Sequence, residues 1–471
     1  MKKISLYTIL IALSFWATGC SLETDPYSAI PSEEAFRTTQ DVQNGMHGAY
    51  NSLGAFEFLG NYALSISDMA SDISIADNSS GSFVAINIWN INEDTPELSQ
   101  IWTKGYEVID RCTRGINGAN ALLSNPAENR LTAQDIINLN SFASQMYSMR
   151  SLTSFILVNI FGFPYRAGTP NSQLGIVLVD LEPIPAYTNV LRSTVAQTYT
   201  QILKDIASAK THLNALTVSQ KKTVSQYYLN EAAVYALEAR VKLYMQDYAG
   251  AKTAAQTAID KRGSANVSNV DYVQMWSSTA ITDEDIFTIA KSEADNLSAN
   301  SINTLYNSYG GFLSEFTLDK FADNDIRKGL LDGNHPRKFD GNASSEDVGN
   351  IPIFRKSEMY LIIAEASAQQ TQIADAQNAL FYTAKRNTDI AAATDLPATK
   401  TALLSFIADE RIREFFQEGH RMYDLRRTGA PANISGTANY VFANFVYPIP
   451  ANEINSGFGV VQNPNWSNTL P

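Results

Sequence analysis

The chain has almost no cysteine and little histidine: two Cys and four His in 471 residues. With so few, no CxxC or HExxH pattern can be drawn, which excludes a zinc-type ligand set. If Cys20 is consumed by modification, Cys112 stands alone and no internal disulfide can form; a chain of this length can bury a core large enough to do without one. Long apolar runs are also missing. The only candidate, Ile4 to Trp16, is broken by Ser5, Thr8 and Ser14 and falls short of the roughly 20 residues a bilayer-spanning helix needs. Basic charge is scarce. The formal net charge is −13, and loss of Lys2 and Lys3 with a leader free of acids would make it −15 (−13 − 2). A surface this acidic excludes nucleic acid and polyanions as natural partners and is compatible with neutral ligands.

What is present begins at the N-terminus. Lys2 and Lys3, the short apolar run and the small residues Ala17-Thr18-Gly19 before Cys20 predict a signal peptide over 1–19. Cys20 is then the expected lipidation site, and two or more acyl chains, at roughly 0.8 kcal/mol per buried methylene, anchor a chain stably on a membrane. Residues 20–32 form a polar tether with Glu23 and Asp25 near the anchor.

Beyond the tether the pattern is mainly helical, with helices expected over 39–53, 98–122, 132–161 and 193–213, the last capped by Ser193. Residues 230–260 predict an antiparallel helical hairpin. Asp247-Tyr248 makes its turn, and Ala236, Ala239, Ala251, Ala254, Ala255 and Ala258 provide small facing surfaces, as in a tetratricopeptide repeat. Further pairs are expected over 357–370 with 373–387. Asp409 to Arg427 predicts an amphipathic helix with Gly419 as its break point, and with pairs Asp409–Arg413, Glu410–Arg413 and Asp424–Arg427. Glu414, Glu418 and His420 resemble an acid–base cluster, but salt bridges along a structural helix explain them better. Long irregular segments, 60–97, 165–192, 262–320, 332–352 and 428–471, separate the helices, and such loops usually carry function.

Five segments in order then resemble one family. They are Arg150–Pro164 (RSLTSFILVNIFGFP), Arg192–Leu213, Arg355–Ala366 (RKSEMYLIIAEA), Phe415–Arg427 (FFQEGHRMYDLRR), and Tyr447-Pro-Ile-Pro450 with Glu453 and Gln462-Asn-Pro464. Together they are similar to the SusD/RagB family of surface lipoproteins that accompany SusC-like TonB-dependent transporters. Departures are Ser151 in place of Ala, an exit to Pro164 one residue short, and a missing Asn-Pro before Gly457. The resemblance implies an alpha-alpha superhelix: a tetratricopeptide-like scaffold with long irregular loops forming a second subdomain. The N-terminal helical part is expected over 33–261 and the C-terminal part over 262–471. The resemblance also implies non-catalytic binding of oligo- or polysaccharide at the outer-membrane surface and its delivery to the transporter. The alternatives are a peptide-binding or lid-like adaptor with little glycan affinity and, less favoured, a glycoside hydrolase, which would need two opposed carboxylates that no local motif supplies.

Sugars offer apolar CH faces and hydroxyl edges, so aromatic rings and amides in loops are the natural contacts. The candidates are Phe83, Trp89 and Asn92 in the first long loop, and Trp276, Tyr306 and Tyr309 in the second. Alternation of Ile86, Ile88 and Ile91 as a short strand would turn Trp89 outward. Trp102 and Tyr106, four residues apart on a helix, read as core. No cofactor is expected; Asp68, Asp72 and Asp77 could suit calcium, although their spacing fits no EF-hand.

Overall fold

The structure is a computed structural model describing residues 35–180, 182–185, 187–340, 348–434, 437–464 and 466. The predicted signal peptide, Cys20 and the tether lie outside the described residues. Helix α1 (Thr39–Leu53) opens on a capping box. The Thr38 hydroxyl accepts the Asp41 N–H at 3.2 Å, and Asp41 accepts the Thr38 N–H at 2.9 Å. A short helix α2 (Tyr62–Met69) follows, then the long α3 (Pro96–Ser124), with proline in its first turn, and α4 (Ala133–Phe161), boxed by Thr132 and Asp135. Helix α5 (Val195–Asn214) is capped by Thr194 and Gln197 rather than by Ser193, whose hydroxyl donates instead to the Ile176 carbonyl at 2.7 Å.

The expected hairpin is present as α6 (Glu231–Tyr244) and α7 (Tyr248–Arg262). Asn230 caps the first helix, and Asp247 caps the second by accepting the Gly250 N–H at 3.0 Å. The facing alanines Ala236, Ala239, Ala251, Ala254, Ala255 and Ala258 are buried, which lets the two helices approach closely. Helix α7 packs directly on α8 (Lys356–Gln369), which pairs with α9 (Ile373–Ala384) and α10 (Lys400–Phe415). Helices on either side of residue 261 therefore form one continuous stack. The remaining described residues form short helices, loops and two-stranded ribbons. Strand β1 (Ser74–Ala76) pairs with β3 (Gly311–Leu313), β2 (Asp285–Ile289) with β4 (Ile351–Arg355), and β5 (Pro431–Ile434) with β6 (Thr437–Val441), each antiparallel.

The segment 409–427 is two helices. After α10 the chain breaks over Phe416–His420 and resumes as α11 (Arg421–Thr428). Gln417 and Gly419 take φ of +65° and +75°. A side chain at 419 would stand 2.6 Å from the Leu64 carbonyl oxygen, so glycine is required on both counts. The break turns Gly419 toward α2, where its N–H donates to Asp68 at 3.2 Å. Glu410–Arg413 and Asp424–Arg427 pair as expected, each at 2.8 Å, while Asp409 reaches Lys320 instead.

The acid cluster of this segment is buried rather than displayed on a solvated face. Glu414 binds Arg386 at 2.6 Å, Arg355 at 2.9 Å and Arg327 at 3.2 Å. Glu418 binds Lys338 at 2.6 Å and Arg355 at 2.8 Å. Arg355 also holds Glu284 at 2.9 Å, and Arg327 holds Asp325 and Glu410. Every one of these groups is essentially inaccessible to solvent. Burial works to raise the Glu414 carboxyl, but the guanidiniums of Arg386, Arg355 and Arg327 prevail and hold it well below the ordinary carboxylate range. Asp68 is the opposite case. Burial raises it to about 7, against the Gly419 and Arg421 N–H groups that favour its anion.

Glu414→Ala would take a shared carboxylate from three buried guanidiniums, leaving Arg386 without an ionic partner among the described residues, and should cost about 3–5 kcal/mol in urea denaturation. For Asp68, the folded state holds the proton more tightly than the unfolded chain. Its contribution is therefore full below the ordinary value of 3.8 and is lost as pH rises to about 7. Asp68→Asn should remove that slope. Its stability relative to the parent should rise by at least ~1 kcal/mol between about pH 4 and pH 7 and stay level above, as read by denaturation at several pH values.

Candidate functional site

A concavity of about 720 Å³ opens where the β1–β3 ribbon, the first long loop and the β5–β6 hairpin meet. This volume falls within the range of small-molecule sites. Three apolar side chains line it while remaining accessible: Ile75, Ile88 and Phe316, at 38%, 54% and 39% exposure. The Phe316 ring is steadied by Lys320, whose Nζ lies 4.5 Å from its centroid, and Arg421 stands 5.8 Å from it. Amides complete the rim. Asn87 donates to the carbonyls of Met69 and Ser74 at 2.8 and 3.0 Å, which leaves its carbonyl oxygen unspent. Asn433 and Asn439 are exposed on the two strands of the hairpin.

Two carboxylates, Asp72 and Glu315, belong to the lining. Arg421 grips both oxygens of Asp72, each at 2.7 Å, and the Ser314 hydroxyl donates to the Asp72 carbonyl at 2.6 Å. A carboxylate in a bidentate guanidinium clamp is a structural and hydrogen-bonding group, not a free proton donor or nucleophile. Asp68, Asp72 and Asp77 do not assemble a cation site. Asp68 faces the N–H groups of Gly419 and Arg421, Asp72 faces Arg421, and Asp77 accepts the Ser79 N–H at 2.9 Å. No cluster of three or more potential ligands occurs among the described residues.

The six loop residues expected to meet a glycan lie elsewhere, and none lines this cavity. Trp89 is a correction. Residues 84–87 form a helical turn instead of a strand, and Trp89 itself takes φ +60°, so the expected alternation is lost. Ile88 emerges into the cavity, while Trp89 turns inward against Tyr440, Phe442 and Phe445, with centroids 4.8–5.3 Å away. Phe83 is fully buried edge-on to Tyr62 at 5.3 Å. Tyr306 is buried with its hydroxyl 2.9 Å from Ser74 Oγ. Trp276 is sealed beneath Lys338, 4.6 Å from its ring, and against Phe339. Such rings have no free face for a sugar. Tyr309 is half-buried beside the Ser80 loop, and Asn92 is exposed but spends its carbonyl on a turn that accepts the Asp94 N–H at 2.9 Å. Trp102 is core, as expected, with its indole N–H donating to Glu453 at 3.2 Å, and the Tyr106 hydroxyl donates to the Val177 carbonyl at 3.1 Å.

Sequence reasoning passed over Phe316, Ile75, Ile88, Asn433 and Asn439. The recognised FFQEGHRMYDLRR segment supplies Arg421, which bypasses Asp424, three residues on in its own helix, and reaches Asp72 at the cavity. No helix of the described residues is long and apolar enough to cross a membrane.

Comparison with known proteins agrees with this architecture. A family model described as starch-binding and associating with the outer membrane matches residues 21–243, and the SusD family model matches residues 241–441. SusD-like protein P2 of Formosa agariphila is 28% identical over 242 residues, half of this chain; the match spans only 43% of that curated relative's length. A SusD superfamily structure from Bacteroides vulgatus superposes with a TM-score of 0.79 at 25% identity, covering 92% of this chain and all of that one. A SusD-like carbohydrate-binding protein, also from Bacteroides vulgatus, shares the fold at 19% identity and TM-score 0.65, covering 84% of each chain.

Trp89→Ala should lower stability by about 3–5 kcal/mol, because it empties a packed aromatic cluster, whereas Phe316→Ala should change it by less than about 1 kcal/mol. Chemical denaturation of the two variants side by side distinguishes the buried ring from the accessible one.

Proposed function

The chain belongs to the SusD family, and from that premise we propose that it captures a neutral glycan, without cleaving it, in the cavity bordered by Ile75, Ile88, Phe316 and Asn439. The observation that carries this reading is the composition of that cavity. Accessible apolar groups can cover the CH face of a pyranose, while the amides of Asn87, Asn433 and Asn439 and the nearby serine hydroxyls can meet its hydroxyl edges. The clamped Asp72 leaves Glu315 without a free carboxylate partner in the cavity, which speaks against a hydrolytic pair. An acidic surface and an acidic rim disfavour sulfated or uronic polymers.

Held at the outer-membrane surface through Cys20, the protein would present bound glycan to a SusC-like TonB-dependent transporter. The helical stack would then serve as a rigid frame and the loop-built face as the capturing one. The family description and the carbohydrate-binding relative support this assignment.

Affinity electrophoresis of the full chain against starch, xylan, mannan and, as anionic control, pectate should show retardation by a neutral polymer without release of reducing ends. Phe316→Ala should weaken that binding roughly two- to tenfold. Absence of binding across the neutral panel would overturn the reading in favour of a transporter lid, or of a peptide-binding adaptor.

A further inference from the structure

A second concavity lies on the helical scaffold, on elements that contribute nothing to the first. Its two connected parts, about 380 and 250 Å³, share His47 and Tyr228. Two helices face each other across the larger part with complementary stripes. On α1, Gln43, His47 and Asn51 recur every four residues and so share one face. None of these three side chains has an intramolecular hydrogen-bond partner, although Gln43 is half-buried. On α4, Gln134, Asn138, Ser141 and Gln145 recur at i, i+4, i+7 and i+11. These are already ordered. Gln134 donates to Asn138 at 2.8 Å, Gln145 donates to Ser141 at 3.2 Å, and the Tyr50 hydroxyl donates to Gln145 at 2.9 Å. The Gln134 carbonyl and the Asn138 amide N–H groups remain available.

Between the stripes, Met46 and Phe142 form an apolar floor. One end is walled by Tyr228, held edge-on by Tyr50 at 5.3 Å and flanked by the His47 ring at 6.2 Å. Tyr50 is itself immobile, since its oxygen accepts the Leu229 N–H at 2.8 Å. The larger part contains no Asp, Glu, Lys or Arg, and in the smaller part the only charges are Lys291 and Asp295, which lie 3.4 Å apart. On a chain of net charge −13, a groove lined by neutral amides, hydroxyls and one fixed ring is suited to an uncharged polyol. An amide supplies both donor and acceptor, as a vicinal diol requires, and the ring supplies an apolar platform.

We infer that this groove is a second saccharide-binding site, which takes another stretch of the same neutral polymer held at the loop-built cavity. The inference rests on the glycan-binding reading of the protein. Two sites on one rigid body convert the second contact with a long polymer into an intramolecular event, so long chains gain affinity that short ones do not.

The test is hydrogen–deuterium exchange of the full chain with neutral gluco-, xylo- and manno-oligosaccharides at millimolar concentration. It is read separately at 39–53, 133–146 and 217–230 for the groove and at 311–318 for the first cavity. Protection of the groove segments by one of these sugars is expected, abolished by Tyr228→Ala and weakened by Gln43→Ala, a change at a side chain with no internal hydrogen bond. Phe316→Ala should leave it intact. Tyr228→Ala should also reduce retention by the corresponding polysaccharide about tenfold while sparing oligosaccharide protection at 311–318. Protection confined to 311–318 would overturn the second site and leave the first standing. Protection confined to the groove would uphold the site and move glycan capture there. Silence at both would overturn both, and groove protection by extended peptides but not by sugars would reassign it to a peptide.

Discussion

Arg355 and Glu414 bind at 2.9 Å in the interior, and much of the second half of the chain is arranged around that contact. Arg355 ends strand β4 and caps the start of α8, while Glu414 closes α10. Through them the ribbon, the helical stack, the 326–330 turn and α9 meet at one point. Charges so deeply buried are tolerated only when each is met by several partners. Here Arg327, Lys338, Arg355, Arg386 and Arg413 face Glu284, Asp325, Glu410, Glu414 and Glu418, five cations to five carboxylates. Arg327, Arg355, Glu410, Glu414 and Glu418 each have more than one partner, so none of these five can move without exposing another to an apolar surround. The network fixes one geometry of loop against scaffold rather than simply adding cohesion.

That geometry is what places the cavity. The break between α10 and α11 is set by Glu418 on one side and Gly419 on the other, and it delivers Arg421 to Asp72. The adjacent Arg426 donates to the carbonyls of Gly162 and Phe445, and Arg427 to Glu365 at 2.7 Å, which ties α11 to the end of α4, the closing loop and α8. Glu418, Arg421, Arg426 and Arg427 thus join elements distant in the chain, while Asp424 ties α11 to Arg411 of α10. The segment is legible as a family mark because several distant elements constrain it at once. The cavity-lining Ile88, Asn433 and Asn439 are accessible and carry no such load.

The two concavities share a chemistry although they are built differently. One is made from loops and ribbons and offers accessible apolar groups with an acidic rim; the other lies between parallel stripes of two long helices and is uncharged in its larger part. Both exclude strong unpaired positive charge, which agrees with the shortage of basic residues along the chain. A scaffold with its core alanines buried in close hairpins leaves the outer helical faces free to carry amides, and α1 and α4 use that freedom.

Helices and their caps were determined locally. Thr38, Thr132, Asn230 and Asp247 each satisfy the N–H groups of the turn they begin, and the 3.6-residue period needs no distant partner to be seen. The sequence by itself also showed that two Cys and four His form no CxxC or HExxH pattern, and it showed the family to which five ordered segments point. What it could not determine was which rings face solvent. Trp89 and Ile88 exchange places because one residue adopts φ +60° after a helical turn, and a period-two pattern inverts on a shift of one. Phe83, Trp276 and Tyr306 looked like loop aromatics and proved to be core, because the loops that hold them fold back: Phe83 packs on Tyr62, Trp276 beneath Lys338 and against Phe339, and Tyr306 against Ser74, 232 residues away in the chain. Exposure of a side chain is a property of everything packed around it, so only the tertiary structure decided which side chains line the accessible cavity.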